Sequence, residues 1–138
     1  MVLKSFLLLC SVALSILAYG EDMAEKVRMQ NLKVVRMAAE SLSEELPQKI
    51  DPYTELKAVE ADGTKLIYRF ELSVGPKSDE QIVREGKTRM ERNVKKGICK
   101  SSKRFLENDI DIVYIYTSAA TGKTLFSFTV GKRDCHYR

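Results

Sequence analysis

The sequence has no tryptophan, one histidine, three cysteines and three prolines in 138 residues. One histidine excludes the histidine-rich ligand sets of common zinc sites and leaves little for imidazole acid–base chemistry. Seven glycines and few prolines, with no low-complexity stretch or internal repeat, exclude a linker or a collagen-like chain. Only one run is strongly apolar, which excludes a polytopic membrane protein, and the length excludes a multidomain enzyme. Neither charge sign dominates: 23 basic and 19 acidic residues give +4, too mild an excess for a nucleic-acid binder. What is present, 44% hydrophobic and 30% charged residues, is the composition of a globular domain.

The apolar run lies at the N-terminus. Lys4 supplies a positive n-region, and Phe6 to Ala18 reads FLLLCSVALSILA. Ala18-Tyr19-Gly20 then places small residues at the −3 and −1 positions of a cleavage site. This pattern is that of a secretory signal peptide over residues 1–20. The run is too short for a spanning helix, which needs about 20 apolar residues. A lipoprotein signal at Cys10 is disfavoured, because Leu9 is not small and half of the apolar run would remain on the chain. Processing removes Lys4 and Cys10, so the net charge falls to +3 and two cysteines remain, Cys99 and Cys135. An exported chain meets an oxidising compartment, where two cysteines have one connectivity. Residues 21–138 are expected to form a single domain closed by that disulfide.

Periodicity predicts the elements. Met23, Val27, Val34, Val35, Ala38 and Leu42 recur at helical spacing, and Pro47 ends that helix. A weaker strand covers Tyr53 to Ala61, and Asp62-Gly63 reads as a two-residue hairpin turn. Leu66, Tyr68, Phe70 and Leu72 alternate with charged residues, the period of a half-buried strand. Ser78 and Gln81 form a capping box at the head of a second helix carrying Ile82, Met90, Val94 and Ile98. Ser101 or Ser102 caps a further short turn. IDIVYIYT (110–117) is apolar on both faces and reads as a central strand, and Lys123 to Val130 is the last one. The order α-β-β-α-β-β predicts an α+β fold: a four-stranded antiparallel sheet with helices packed on one face. Tyr68, Tyr114 and Tyr116 are expected in the sheet core, their hydroxyls at its edge.

No catalytic residues emerge, so the chain is read as a non-enzyme without cofactor or metal. SAATGKT (118–124) resembles the end of a phosphate-binding loop, but Thr117 replaces the first glycine and no helix follows. A hairpin turn is the better reading. His136 beside Cys135 is a poor thiol–imidazole pair, because adjacent residues on an extended tail point apart. The strongest signal is charge. Residues 84–104 hold nine basic and two acidic residues, and 39–62 hold seven acidic and two basic ones. Arg84, Lys87, Arg92, Lys95, Lys96, Lys100 and Lys103 make a candidate basic binding face for another protein or an anionic envelope surface. The same residues could instead pair with the acidic segment or be solvated. No aromatics interleave them before Phe105, which argues further against nucleic acid.

The strand LIYRFEL, the helix end ICKSSKRFL and DIDIVYIYTSAATGKTLFSFTV with its closing cysteine resemble a group of small exported bacterial proteins. These are known as quorum-sensing-regulated virulence factor-like proteins. The resemblance runs from about Leu46 to Cys135 and implies export, an α+β fold and a part in secretion or virulence. It brings no catalytic motif. The expectation is therefore a periplasmic or secreted binding or accessory protein, with helix 1 able to support a homodimer. The alternative is an inhibitor or immunity protein against a secreted hydrolase, acting through the Thr117–Lys123 loop.

Overall fold

The computed structural model describes residues 20–137 in full, and of residues 2–19 only the backbone. The expected signal peptide, Gly20 apart, and Cys10 lie outside the fully described residues. The elements run α1 (Val2–Ser43), β1 (Gln48–Asp51), β2 (Thr54–Asp62), β3 (Lys65–Leu72), α2 (Asp79–Ser101), α3 (Lys103–Glu107), β4 (Asp111–Ser118) and β5 (Thr124–Val130). A single 3-10 turn, Lys132–Asp134, leads to the tail.

The sheet corrects the expected four antiparallel strands. It has five, in the order β1-β2-β3-β4-β5, and it is mixed. The β1–β2, β2–β3 and β4–β5 pairs are antiparallel, whereas β3 and β4 run parallel from Lys65↔Asp111 to Leu72↔Ser118. Parallel neighbours need a crossover of a dozen or more residues. Here α2 and α3 supply it, carrying the chain from the end of β3 back to the level where β3 began. The extra strand, β1, is QKID, exposed at every position, so it carries no burial alternation to betray it.

Strand β2 explains its own weak signal. Leu56 and Val59 are both buried, although residues three apart in a regular strand face opposite ways. The register shifts between Leu56 and Ala58, and this bulge turns both side chains inward. The hairpin turn also sits one residue later than expected: Asp62 pairs with Lys65, and Gly63-Thr64 make the bend with Gly63 at φ +58°. That left-handed conformation favours glycine.

The capping box forms as expected. Gln81 N–H donates to the Ser78 hydroxyl at 3.2 Å, and Ser78 N–H donates to the Gln81 side chain at 3.1 Å. Gly86 and Gly97 do not break α2. Both long helices pack on one sheet face. Val35 and Ala39 of α1 and Ile82 and Ile98 of α2 share one core with Leu66, Phe70, Ile112, Phe126, Phe128 and Val130. The opposite face carries Ile67, Arg69, Val113, Ile115, Ser127 and Thr129, none of which joins the helix-covered core among the described residues.

Two polar ties fix α1. Asn31 donates its side-chain amide to the Asn108 carbonyl at 2.8 Å, and the Ser43 hydroxyl donates to the Val59 carbonyl at 3.1 Å. The tail is fixed by Cys99–Cys135, with Cα atoms 5.5 Å apart, as the cysteine arithmetic predicts. Tyr137 reinforces it by donating its hydroxyl to the Cys99 carbonyl at 2.7 Å.

The bridge spans 36 residues, so reduction should lower unfolding free energy by about 4 kcal/mol in the chain-entropy model. Urea melts with and without reductant measure this, and an unchanged midpoint would contradict it. Leu66 has no exposed surface, and Leu66→Ala should cost about 2–5 kcal/mol in the same assay.

Candidate binding cleft

α2 lies along β5, and α1 crosses β2 and β3. Between them runs a strip of aromatic side chains set by the parallel register. That register places Tyr68 beside Tyr114 and Phe70 beside Tyr116. Their ring centroids are 5.1 Å and 4.9 Å apart, and Phe70 lies 4.8 Å from Tyr114. Tyr116 continues the row to Phe126 at 5.2 Å. Tyr116, Phe126 and Phe128 are buried, whereas Tyr68 and Tyr114 are only half-buried. The tyrosines thus occupy the expected face, though two of them stay partly open.

Desolvation disfavours the phenolate. Burial pushes the Tyr68 hydroxyl up to about 12, with Tyr114 adding to the shift. Burial also raises Tyr114. It raises Tyr116 as well, where the charges of Tyr114 and Asp51 add smaller contributions. Asp51 belongs to β1, so its field reaches the strip from across the sheet.

Asp51 is one lip of a cleft of about 520 Å³. Ile82, Gly86, Met90 and Asn93 of α2 form one wall, and Tyr53, Thr54 and Leu72 form the other side and floor. Tyr53 is 60% exposed and Ile50 50% exposed, both large apolar side chains at the strand rim. The α2 wall is polar at its outer edge, where Lys77 donates to Glu85 at 2.7 Å and Arg89 stands nearby. The Lys77 hydrogen bond and charge hold the Glu85 carboxyl below its usual range. The cleft therefore pairs an aliphatic interior of Leu72, Val74, Ile82 and Met90 and the exposed ring of Tyr53 with Asp51 on one lip and the Lys77–Glu85 pair and Arg89 on the other.

The seven basic candidates do not gather on one face. At about 100° per residue they spread round more than half of the helix circumference. Arg84, Lys87 and Lys95 fall on the flank towards the β5 edge, and Arg92 points away from the sheet. Lys96 and Lys100 fall on the flank towards α1, and Lys103 continues that flank in α3. Lys95 is paired with Asp134 at 3.1 Å and Lys103 with Glu107 at 3.7 Å. The Gly131 N–H, more than Lys95, keeps the Asp134 carboxyl low. Among the described residues, no ion pair joins this segment to acidic residues 39–62.

The other sequence candidates resolve as structure. SAATGKT is the β4–β5 turn, closed by Gly122 N–H donating to the Ser118 carbonyl at 2.8 Å. The Thr121 hydroxyl donates to the Asp79 carboxylate at 2.6 Å, and the Thr121 and Ser118 hydroxyls lower that carboxyl. Cys135 is in the disulfide and His136 is exposed. Among the described residues, no group of three or more His, Cys, Asp and Glu is placed to hold a metal ion. No helix there is long and apolar enough to cross a membrane. Asp51 carries no sequence signal, because β1 itself has none, and Tyr53 stands only as the first residue of the weak strand signal; Arg89 is distinguished from its basic neighbours only by the side of α2 it occupies.

The raised tyrosines have a consequence at alkaline pH. A phenol whose folded value exceeds its unfolded value of about 10 binds its proton more tightly in the fold. Its contribution is complete below about pH 10 and is lost as pH climbs towards the folded value near 12. Ultraviolet absorbance titration should show late-ionising phenols, and Tyr68→Phe should remove one and flatten the alkaline loss of stability. Complete phenol ionisation in the folded protein near pH 10 would contradict this.

Three solved structures share the fold. A candidate secreted protein of Pseudomonas aeruginosa (PA3611) superposes with a TM-score of 0.70 at 14% identity, covering 80% of this chain and 96% of that one. The pilotin EpsS of the Vibrio vulnificus type 2 secretion system gives 0.69 at 11% identity, covering 83% and 99%. The type II secretion system pilotin AspS of Vibrio cholerae gives 0.59 at 19% identity, covering 82% and 98%. No curated protein matches the chain in sequence. One family does: its pattern matches residues 30–126, from the buried part of α1 into β5. With well over half of its length so matched, the chain belongs to the family described as a domain of unknown function, DUF8479.

Proposed function

We propose that this chain is an exported, non-enzymatic accessory protein that docks a protein component of a secretion apparatus in the cleft between α2 and the β1–β2 turn. The observation that carries the reading is the cleft itself: an open recess with Leu72, Ile82 and Met90 inside, Tyr53 exposed at its rim and a charged residue on each lip. Such recesses favour an apolar protein side chain flanked by polar groups, because aromatics and methionine gain most from losing water. The shared fold of two type II secretion pilotins supports the same class of role. A periplasmic or secreted location, removal of residues 1–20 and the link to quorum-sensing-regulated virulence belong to this proposal. A protein partner is favoured over an anionic surface, because the cations encircle α2 rather than forming one plane.

The inhibitor alternative is not favoured. Its reactive element would be the Thr117–Lys123 loop, and that loop is tied to the head of α2 through Thr121 and Asp79. Ala119 N–H also donates to the Leu72 carbonyl at 2.9 Å. A loop anchored at both ends presents little to a protease or lysozyme-like cleft.

A photocrosslinker placed at Tyr53 in the native envelope should capture a secretion-system component. Met90→Glu should reduce capture about tenfold or more, since an interfacial anchor contributes about 2 kcal/mol, while the thermal midpoint stays close to the parent. Capture of no such component, or capture indifferent to Met90→Glu, sinks the proposal.

A further inference from the structure

α1 holds an apolar seam that the domain does not cover. Met23, Val27, Gln30, Val34 and Met37 follow one another at alternating spacings of four and three residues, and all five are exposed. That spacing is the seam of paired helices, with β-branched valine at one repeat position and methionine at the other. It is distinct from the stripe Asn31, Val35 and Ala39, which faces the sheet and is buried.

The N-terminal part of this seam is exposed throughout its described length. From Gly20 to Gln30 every residue is exposed, and Asn31 is the first to be buried. This arm extends about 16 Å at the usual helical rise. Its apolar side is open to water, whereas the part of the same helix from Asn31 onward packs on the sheet.

The surface beside the seam indicates what could cover it. Val27 and Val34 line a cavity of about 670 Å³ whose far wall is Lys100, Lys103, Arg104 and Phe105. That wall is apolar at its base and cationic at its rim. The arm is acidic at its tip, with Glu21, Asp22 and Glu25 beside Met23 and Val27, and Lys26 and Arg28 follow behind them. Glu25 pairs with Arg28 within the helix at 2.9 Å, which leaves Glu21 and Asp22 as the acids without an ion pair among the described residues.

We infer that the protein forms a two-fold dimer in which the α1 arm of each copy lies antiparallel along the α1 seam of the other, its acidic end against the Lys100–Arg104 rim. The register that sets Met23 opposite Val34 also sets Val27 opposite Gln30. It brings Glu21 and Asp22 of one copy beside Arg36 and Val35 of the other, with Lys33 adjacent. A two-fold interface is self-complementary, so the one set of contacts is made twice. The partner is a second copy rather than an unrelated helix because this chain carries both halves of the charge pattern. The inference is independent of the cleft at Tyr53 and Met90, which lies on the other half of α2.

The test is the oligomeric state of the exported protein, recovered from its native compartment with its N-terminus defined by intact mass. Sedimentation at micromolar concentrations should show a dimer that weakens with salt, because the rim charges are exposed. Val27→Glu, on a side chain 49% exposed in the single copy, should yield a folded monomer with an unchanged circular dichroism spectrum. Reversing Lys100, Lys103 and Arg104 to Glu should raise the dissociation constant about tenfold at low salt. Adding Glu21→Lys and Asp22→Lys to that variant should restore it. A monomer at all concentrations overturns the inference, as does a dimer unaffected by Val27→Glu. A charge-reversed dimer that the compensating changes fail to rescue overturns the antiparallel arrangement. Loss of the dimer with cleft crosslinking intact would leave the proposed function standing.

Discussion

The parallel pairing of β3 with β4 is the constraint from which the rest of the arrangement follows. Two hairpins could have met with any of their edges. Once β3 and β4 lie side by side and point the same way, the chain must cross from one end of the sheet to the other between them. α2 is long enough to do this, and α3 completes the return. The crossover lies over β5 on the same face that α1 occupies. Both helices then seal Leu66, Ile112 and Val130 with almost no exposed surface. The register of that one pair also aligns Tyr68 with Tyr114 and Phe70 with Tyr116. The aromatic strip is therefore a product of topology, not of any one strand.

The stability of the fold is distributed between that core and a few ties at its margins. The disulfide fastens the end of the crossover to the residues that follow β5, so the helix cannot lift without dragging the tail. Asn31 and Ser43 fasten α1 at two heights, each by donating to a main-chain carbonyl of another element. Thr121 fastens the opposite end of α2 by donating its hydroxyl to the Asp79 side-chain carboxylate. The surface ion pairs contribute little beside these, because exposed pairs are worth about 0–1 kcal/mol. Between the two fastened helices the sheet stays partly uncovered. The proposed docking cleft lies at one side of that arrangement, between α2 and the β1–β2 turn.

Much of the fold was legible because it depends on local periodicity. The alternation of Leu66, Tyr68, Phe70 and Leu72 marks β3, and the Ser78–Gln81 box marks the first turn of α2. Cys99 and Cys135 become a pair once Cys10 is assigned to the signal peptide. Illegibility also had local causes. β1 is short and exposed throughout, and the bulge in β2 breaks the period that identifies strands. The cleft was hidden for a different reason: Asp51 and Tyr53 are far in sequence from Met90, and all three are unremarkable singly. The basic segment was the most visible feature of the chain, yet a run of cations on a helix says nothing of their direction. Packing against β5 divides them between two flanks.

Composition, periodicity and cysteine count were enough to read an α+β domain with one disulfide, because each reports on residues close in sequence or on bulk balance. They could not determine that the sheet is mixed. Strand direction depends on which edges meet across the crossover, and that is an energy of the assembled sheet rather than of any segment. The same holds for the cleft and for the exposed seam of α1. Met23, Val27 and Val34 read as an ordinary amphipathic face until the sheet takes Asn31, Val35 and Ala39 instead. Only the tertiary structure decides which of two apolar stripes on one helix is buried and which is left for a partner.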